Sequence, residues 1–108
     1  MNTYDPDAVY SALEDAAEEW TQTQYLANIM EKMGEILLAK MMLEAKDIGC
    51  PISLCKERAR IRPEWETHIK GELEARAKAD RARAKYKNTQ ALADARRTQE
   101  STMRTLTR

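Results

Sequence analysis

The sequence lacks phenylalanine, has a single histidine, and contains only three glycines, three prolines and two cysteines among its 108 residues. Long apolar runs are missing too: the longest, residues 36–43, is interrupted by Lys40 and falls far short of the ~20 residues of a transmembrane helix. The N-terminus is acidic, so we expect no secretory signal and a cytoplasmic, reducing location. With 43% apolar and 33% charged residues, the composition excludes both a disordered chain and a membrane protein.

The residues able to do chemistry form no recognisable site in the sequence. Cys50, Cys55 and His68 would supply only three of the four ligands of a structural zinc, without the two-residue spacing of zinc turns. Packing of the cysteines within a helix connection is therefore favoured. No serine lies in a nucleophile motif, and no glycine-rich phosphate loop occurs. We predict a protein that is not an enzyme, with no catalytic residue, metal, cofactor or small-molecule substrate.

Glycine and proline divide the chain into helices, and no strand pattern occurs. Gly49 and Pro51 are typical of a helix end, and Pro63 of a helix start. The sequence predicts one all-α domain: an N-terminal arm over residues 7–48 capped by Asp7, a connection over 49–62 with a short helix, a long helix over 63–104, and a tail over 105–108. Residues 21–23 favour helix weakly, so we expect the first arm to split or bend there.

The two arms have equal lengths of 42 residues, which predicts a long antiparallel, coiled-coil-like hairpin. Each arm would be ~63 Å long as a continuous helix. In a symmetric hairpin, residues whose numbers sum to about 111 lie opposite one another. Ile29 would then lie near Ala82, Met33 near Ala77 or Ala79, and Met41 near Ile69 or Lys70.

The apolar residues of the first arm exceed what one neighbouring helix covers. Of the 24 residues from 25 to 48, 15 are apolar and spread round most of the helix. The C-terminal helix carries two apolar seams, so we predict a homodimer that forms a four-helix bundle. The predicted oligomer interface consists of Leu26, Met30, Met33, Leu37, Leu38, Met41, Met42, Ala75, Ala79 and Ala82.

The formal net charge of zero conceals an uneven distribution, with −6 in residues 1–20, −1 in 21–50 and +7 in 51–108. Residues 76–87 form a basic segment, whose candidate nucleic-acid contacts are Arg76, Lys78, Arg81, Arg83, Lys85, Tyr86 and Lys87. The bases would contact phosphates, and the tyrosine would stack on a base. The favoured alternative is that these bases flank a helix seam and pair with Glu31, Glu35 or a second protomer. We likewise expect Arg96, Arg97 and Arg104 to neutralise the acidic residues 5–19.

The C-terminal arm, residues 81–104, resembles the tail of small helical proteins encoded by tailed bacteriophages. The similarity is greatest at Tyr86 and over residues 95–102, whose sequence is ARRTQEST. This resemblance implies a phage accessory protein of unassigned activity, expressed in the cytoplasm of a bacterial host. It transfers no site residue.

Two functions follow as expectations. The first is a non-enzymatic accessory protein that binds a host or phage protein as an adaptor or inhibitor. The alternative is a nucleic-acid-binding accessory factor for phage recombination or replication, which would use the basic segment on single-stranded DNA. Neither requires a membrane.

Overall fold

The computed structural model describes residues 6–107, which form three α-helices: α1 (Pro6–Asp47), α2 (Ile52–Arg60) and α3 (Pro63–Thr107). α1 and α3 pack along one another in opposite directions, and α2 lies against the end of α1. The molecule is a rod of 82 × 22 × 16 Å. Its radius of gyration of 23.5 Å compares with about 13 Å for a compact domain of this length. The predicted all-α, hairpin-like fold is confirmed.

Local chemistry accounts for the ends of the helices around the connection. Gly49 has φ of 90°, a left-handed conformation that glycine adopts without steric cost. The Cys50 N–H donates to the carbonyl of Ala45 at 3.0 Å, which satisfies a carbonyl at the end of α1. Pro63 is the first residue of α3, where a missing N–H costs nothing.

The helices differ from the prediction at three places. α1 is not split at residues 21–23, because the long helical segments on either side propagate through them. The hydroxyls of Thr21 and Thr23 donate to carbonyls one turn back, at 2.9 and 2.8 Å. α3 continues to Thr107, so the predicted tail is helical up to that residue, and Arg108 lies outside the described residues. α1 begins one residue before the predicted start, at Pro6, so Asp7 lies in its first turn.

The core is built from small side chains. On α3, a series of buried and half-buried residues runs from Trp65 to Ala93 at alternating spacings of three and four, as in a coiled coil: positions 65, 68, 72, 75, 79, 82, 86, 89 and 93. Small side chains let the two helix backbones approach closely, but each buries little apolar area. The buried apolar residues are Ala16, Ala27, Met41, Ala45, Cys55, Ala59, Ala79, Ala82 and Ala93.

The register of the hairpin differs from the prediction. Ion pairs join Glu44 to Arg62, Glu31 to Arg76 and Glu19 to Lys85. The residue numbers of these pairs sum to 104–107, so Ile29 does not face Ala82, and Met41 does not face Ile69.

The packing of α2 explains the shift. Cys55 and Ala59 are buried, and a groove beside them is lined by Met42 and Leu43 of α1 and Ile52 of α2. Because α2 folds back along α1 instead of extending beyond its end, α3 begins beside Glu44 rather than beyond the end of α1.

Candidate interaction surfaces

One face of α1 is apolar and open to solvent. Leu26, Met33, Ile36 and Leu43 are 56%, 54%, 58% and 60% exposed, and Ile29, between the first two, is half-buried. These spacings of three, four and seven residues place the side chains on one side of a helix. We call the five residues the α1 apolar face.

Two grooves run along this face where α1 meets α3, and Met33 lines both. The first, of about 390 Å³, is lined by Leu26, Ile29 and Met33 of α1 and by Glu74 and Lys78 of α3, among others. The second, of about 360 Å³, is bounded by Met33, Ile36, Leu37, Lys40 and His68. Both therefore present apolar walls edged by a few charged groups.

His68 forms one wall of the second groove. Its ring stacks on Trp65 with ring centroids 5.8 Å apart, and its side chain is only 10% exposed. Nε2 is buried without a hydrogen-bond partner among the described residues, with the Glu72 carboxylate 3.7 Å away. The imidazole packs directly on Gly34 of α1, so the helices approach closely here.

The structure divides the predicted oligomer interface. Met41, Ala79 and Ala82 are at most 3% exposed, because they lie in the seam between α1 and α3. They therefore cannot contact a second molecule while the hairpin is intact, and including them was wrong. Leu26 and Met33 are exposed, and the remaining predicted residues are half-buried: Met30, Leu37, Leu38, Met42 and Ala75.

Three residues of the α1 apolar face were missed by the sequence prediction: Ile29, Ile36 and Leu43. Their spacing relative to Leu26 and Met33 was the available signal. This signal could not be distinguished in the sequence, because so many residues of α1 are apolar that several sides of the helix have apolar residues at the same spacing.

The basic segment is partly paired within the hairpin. Arg76 lies 3.3 Å from Glu31, as predicted, and Lys85 lies 3.1 Å from Glu19. Glu35 instead pairs with Lys32 on its own helix at 3.6 Å. The other bases of the segment are exposed and form no ion pair with a described residue: Lys78, Arg81, Arg83 and Lys87.

Stacking on a nucleic-acid base would require the Tyr86 ring to be exposed, and it is not on the open surface. Its ring packs against Trp20 between α1 and α3, with centroids 5.3 Å apart and a tilt of 35°, and the residue is half-buried. Further along α3, the Arg97 guanidinium lies 5.6 Å from the ring centroid of Tyr10. This part of α3 therefore packs on the acidic half of α1, and the neutralisation of residues 5–19 by Arg96, Arg97 and Arg104 stays a prediction.

The connection holds the thiols and a small ionic cluster. The Cys55 thiol donates to the carbonyl of Pro51 at 3.3 Å, and burial, followed by the neighbouring Cys50, raises its pKa. Arg62 lies between Glu44 and Glu64. The backbone N–H at the start of α3 and the Arg62 guanidinium lower the pKa of Glu64. Among the described residues, no three histidine, cysteine or acidic side chains are placed to hold a metal ion.

Within residues 6–107, no helix combines the length and the apolar character needed to cross a bilayer. Comparison of the chain with protein families, curated proteins and solved structures finds no match. Inferences about its function therefore rest on its own surfaces.

Proposed function

We propose that this protein is a non-enzymatic interaction protein, an adaptor or inhibitor that binds a helix of a partner protein along the α1 apolar face. The observation that carries the proposal is the exposure of four large apolar side chains, each more than half exposed, on one side of a single helix. Isolated exposed apolar residues are ordinary, but a contiguous patch is typical of an interaction site. Covering it is favourable by about 25 cal/mol for each Å² of apolar surface removed from water.

The shape of the face suits a helix better than an extended peptide. An amphipathic helix docks through residues spaced at i, i+3, i+4 and i+7, which is the spacing of the apolar residues that α1 itself presents. Lys40, Glu74 and Lys78 at the groove edges supply charges that would orient the bound helix. Such rim charges affect specificity and association rate more than affinity.

Matched variants test the proposal. Met33→Glu places a carboxylate where the two grooves meet, whereas Leu73→Glu alters an apolar residue of α3 that is 64% exposed and lines neither groove. A partner should be retained by the immobilised wild type and by the Leu73 variant but not by the Met33 variant. Titration with that purified partner should show that Met33→Glu lowers the affinity at least about tenfold, whereas Leu73→Glu leaves it unchanged. Equal affinities for the two variants would show that the proposal is wrong.

Nucleic-acid binding is the second candidate, favoured by the four unpaired bases Lys78, Arg81, Arg83 and Lys87. As an accessory factor in recombination or replication, the protein would bind single-stranded DNA through phosphates, because the Tyr86 ring is packed on Trp20. Affinity would then fall steeply as salt rises, since each neutralised phosphate releases counterions. Changing Arg81, Arg83 and Lys87 together to glutamate would abolish the binding of single-stranded DNA. These changes leave the paired bases Arg76 and Lys85 intact. The phage context remains a prediction from the resemblance of the C-terminal arm.

A further inference from the structure

We infer that the helix bound by the α1 apolar face is α1 of a second copy of this chain, packed antiparallel about a twofold axis. The inference rests on the proposed function, because it names the partner of the same face. Three observations carry it: the surface left exposed by one copy, the symmetric spacing of the face, and the position of Lys40 among the residues of the face.

A single copy exposes far more surface than a compact domain. Its accessible surface is 8463 Å², against about 6,100 Å² for a compact monomer of 12.4 kDa. The excess of about 2,300 Å² is more than the ~800 Å² that each partner buries in a standard stable interface. With a core made largely of alanines, the hairpin also buries few large side chains of its own. A second copy would supply that missing apolar burial.

The spacing along this side of α1 is the same in both chain directions. The five residues of the α1 apolar face and Lys40, which lies among them, occupy positions 26, 29, 33, 36, 40 and 43, separated by three, four, three, four and three residues. A twofold axis passing between Gly34 and Glu35 therefore superimposes the face on itself. Residues of such an isologous contact meet in reciprocal pairs: Leu26 faces Leu43 of the second copy, and Met33 faces Ile36 of the second copy.

Lys40 determines the orientation of the two helices. It is the one charged residue among the six positions and is exposed. A parallel, in-register pairing would place the two Lys40 side chains against each other, which is unfavourable. The antiparallel pairing instead places Lys40 opposite Ile29 of the second copy. There its methylene groups cover apolar surface while the ammonium reaches water at the edge.

The mass in solution gives the first test. Size-exclusion chromatography with light scattering should give twice 12.4 kDa for the wild type at micromolar concentration. It should give the mass of one chain for Met33→Glu, and twice that mass for the control Leu73→Glu. Far-UV circular dichroism establishes that each variant remains helical, and Ile36→Ala provides a milder change if Met33→Glu unfolds.

A charge exchange at position 29 gives the second test, and it is specific to the register. Ile29→Glu places a carboxylate opposite Lys40 of the second copy, twice in each dimer, and the dimer should persist. Ile29→Lys places two like charges together and should weaken association at least about tenfold relative to Ile29→Glu. Adding Lys40→Glu to Ile29→Lys should restore the dimer. Equal dissociation constants for the two variants at position 29 would overturn the antiparallel pairing.

The outcomes separate this inference from the proposed function. A wild-type mass of 12.4 kDa throughout the micromolar range overturns the second copy as partner. The proposed function is then tested by the binding of another protein: it is supported if Leu73→Glu binds that protein and Met33→Glu does not. A dimer that Met33→Glu leaves intact overturns the inference by showing that the copies meet elsewhere.

Discussion

The imidazole of His68 occupies the space that a side chain at Gly34 would need. A Cβ atom built on Gly34 would lie 2.5 Å from Nε2 and 3.1 Å from Cδ2 of His68, well inside van der Waals contact. The glycine is thus required by the neighbouring helix rather than by its own backbone, which is regular α-helix. This contact brings α1 and α3 together beside the second groove of the α1 apolar face.

We expect Gly34→Ala to destabilise the protein by about 1–3 kcal/mol, because the buried imidazole must move away from the new methyl group. In a His68→Ala background the same change should stabilise by up to about 1 kcal/mol, since alanine favours helix more than glycine does. Urea unfolding of the four proteins in this cycle measures the coupling. Additive effects would contradict the contact. Gly71→Ala is the control: its Cβ would meet only the flexible end of Met30 at 3.0 Å, so little stability should be lost.

The Trp20–Tyr86 pair predicts a structural rather than a ligand-binding role for this tyrosine. Tyr86→Ala should lower the free energy of unfolding by about 2 kcal/mol, since it removes a half-buried ring from the seam. Tyr86→Phe should stay within about 0.5 kcal/mol of the wild type, because the hydroxyl makes no hydrogen bond with a described residue. Thermal unfolding followed by circular dichroism checks both. A Tyr86→Ala protein of unchanged stability that binds single-stranded DNA more weakly would contradict this role.

The two cysteines should differ in reactivity towards a thiol reagent. Cys55 is 3% exposed and burial raises its pKa, so it has both less access and less thiolate, the reactive form. Cys50 is half-buried. In the native protein at mildly alkaline pH, Cys50 should react at least about tenfold faster than Cys55. Measuring Cys50→Ser and Cys55→Ser separately assigns the two rates, and both thiols should react rapidly in denaturant. Equal native rates would show that Cys55 of α2 is not buried against α1.

Glu64 predicts a pH-dependent contribution to stability at the start of α3. Its pKa is lower in the folded chain than the ordinary value of 4.5, so the folded state binds its proton less readily than the unfolded state does. The contribution is therefore fully present above about pH 4.5 and is lost as the pH falls through the lower, folded-state pKa. Glu64→Gln should reduce the melting temperature at pH 7 and have little effect at pH 2. A difference that persists at pH 2 would contradict this assignment. Glu57→Gln, an exposed change in α2, serves as control.

Much of the fold could be predicted because its signals are local. Gly49, Pro51 and Pro63 act on the backbone within a few residues, and they mark the connection at its observed place. The continuity of α1 through Thr21, Gln22 and Thr23 could not be inferred from propensity, which describes each residue apart from its neighbours. Weak helix preference is readily overcome when long neighbouring segments propagate the helix.

The candidate surfaces were harder to predict because they depend on the register. The pairing of Arg76 with Glu31 was expected and is observed, whereas the partner of Lys85 was not. Met41 was assigned to an oligomer interface but lies in the hairpin seam at 2% exposure. A shift of a few residues between two helices changes which neighbours every side chain meets, and that shift depends on how α2 packs.

The amino-acid sequence determined the all-helical fold, the helix ends at the connection, and an apolar surplus on the first arm greater than one neighbour can cover. These properties come from backbone preferences and composition, which act locally. The tertiary structure decided the register, the burial of Tyr86 against Trp20, and which stripe of α1 remains open. Those outcomes depend on contacts between side chains far apart in the chain. The most important are those of Cys55 and Ala59, which pack α2 against α1 and thereby determine where α3 begins.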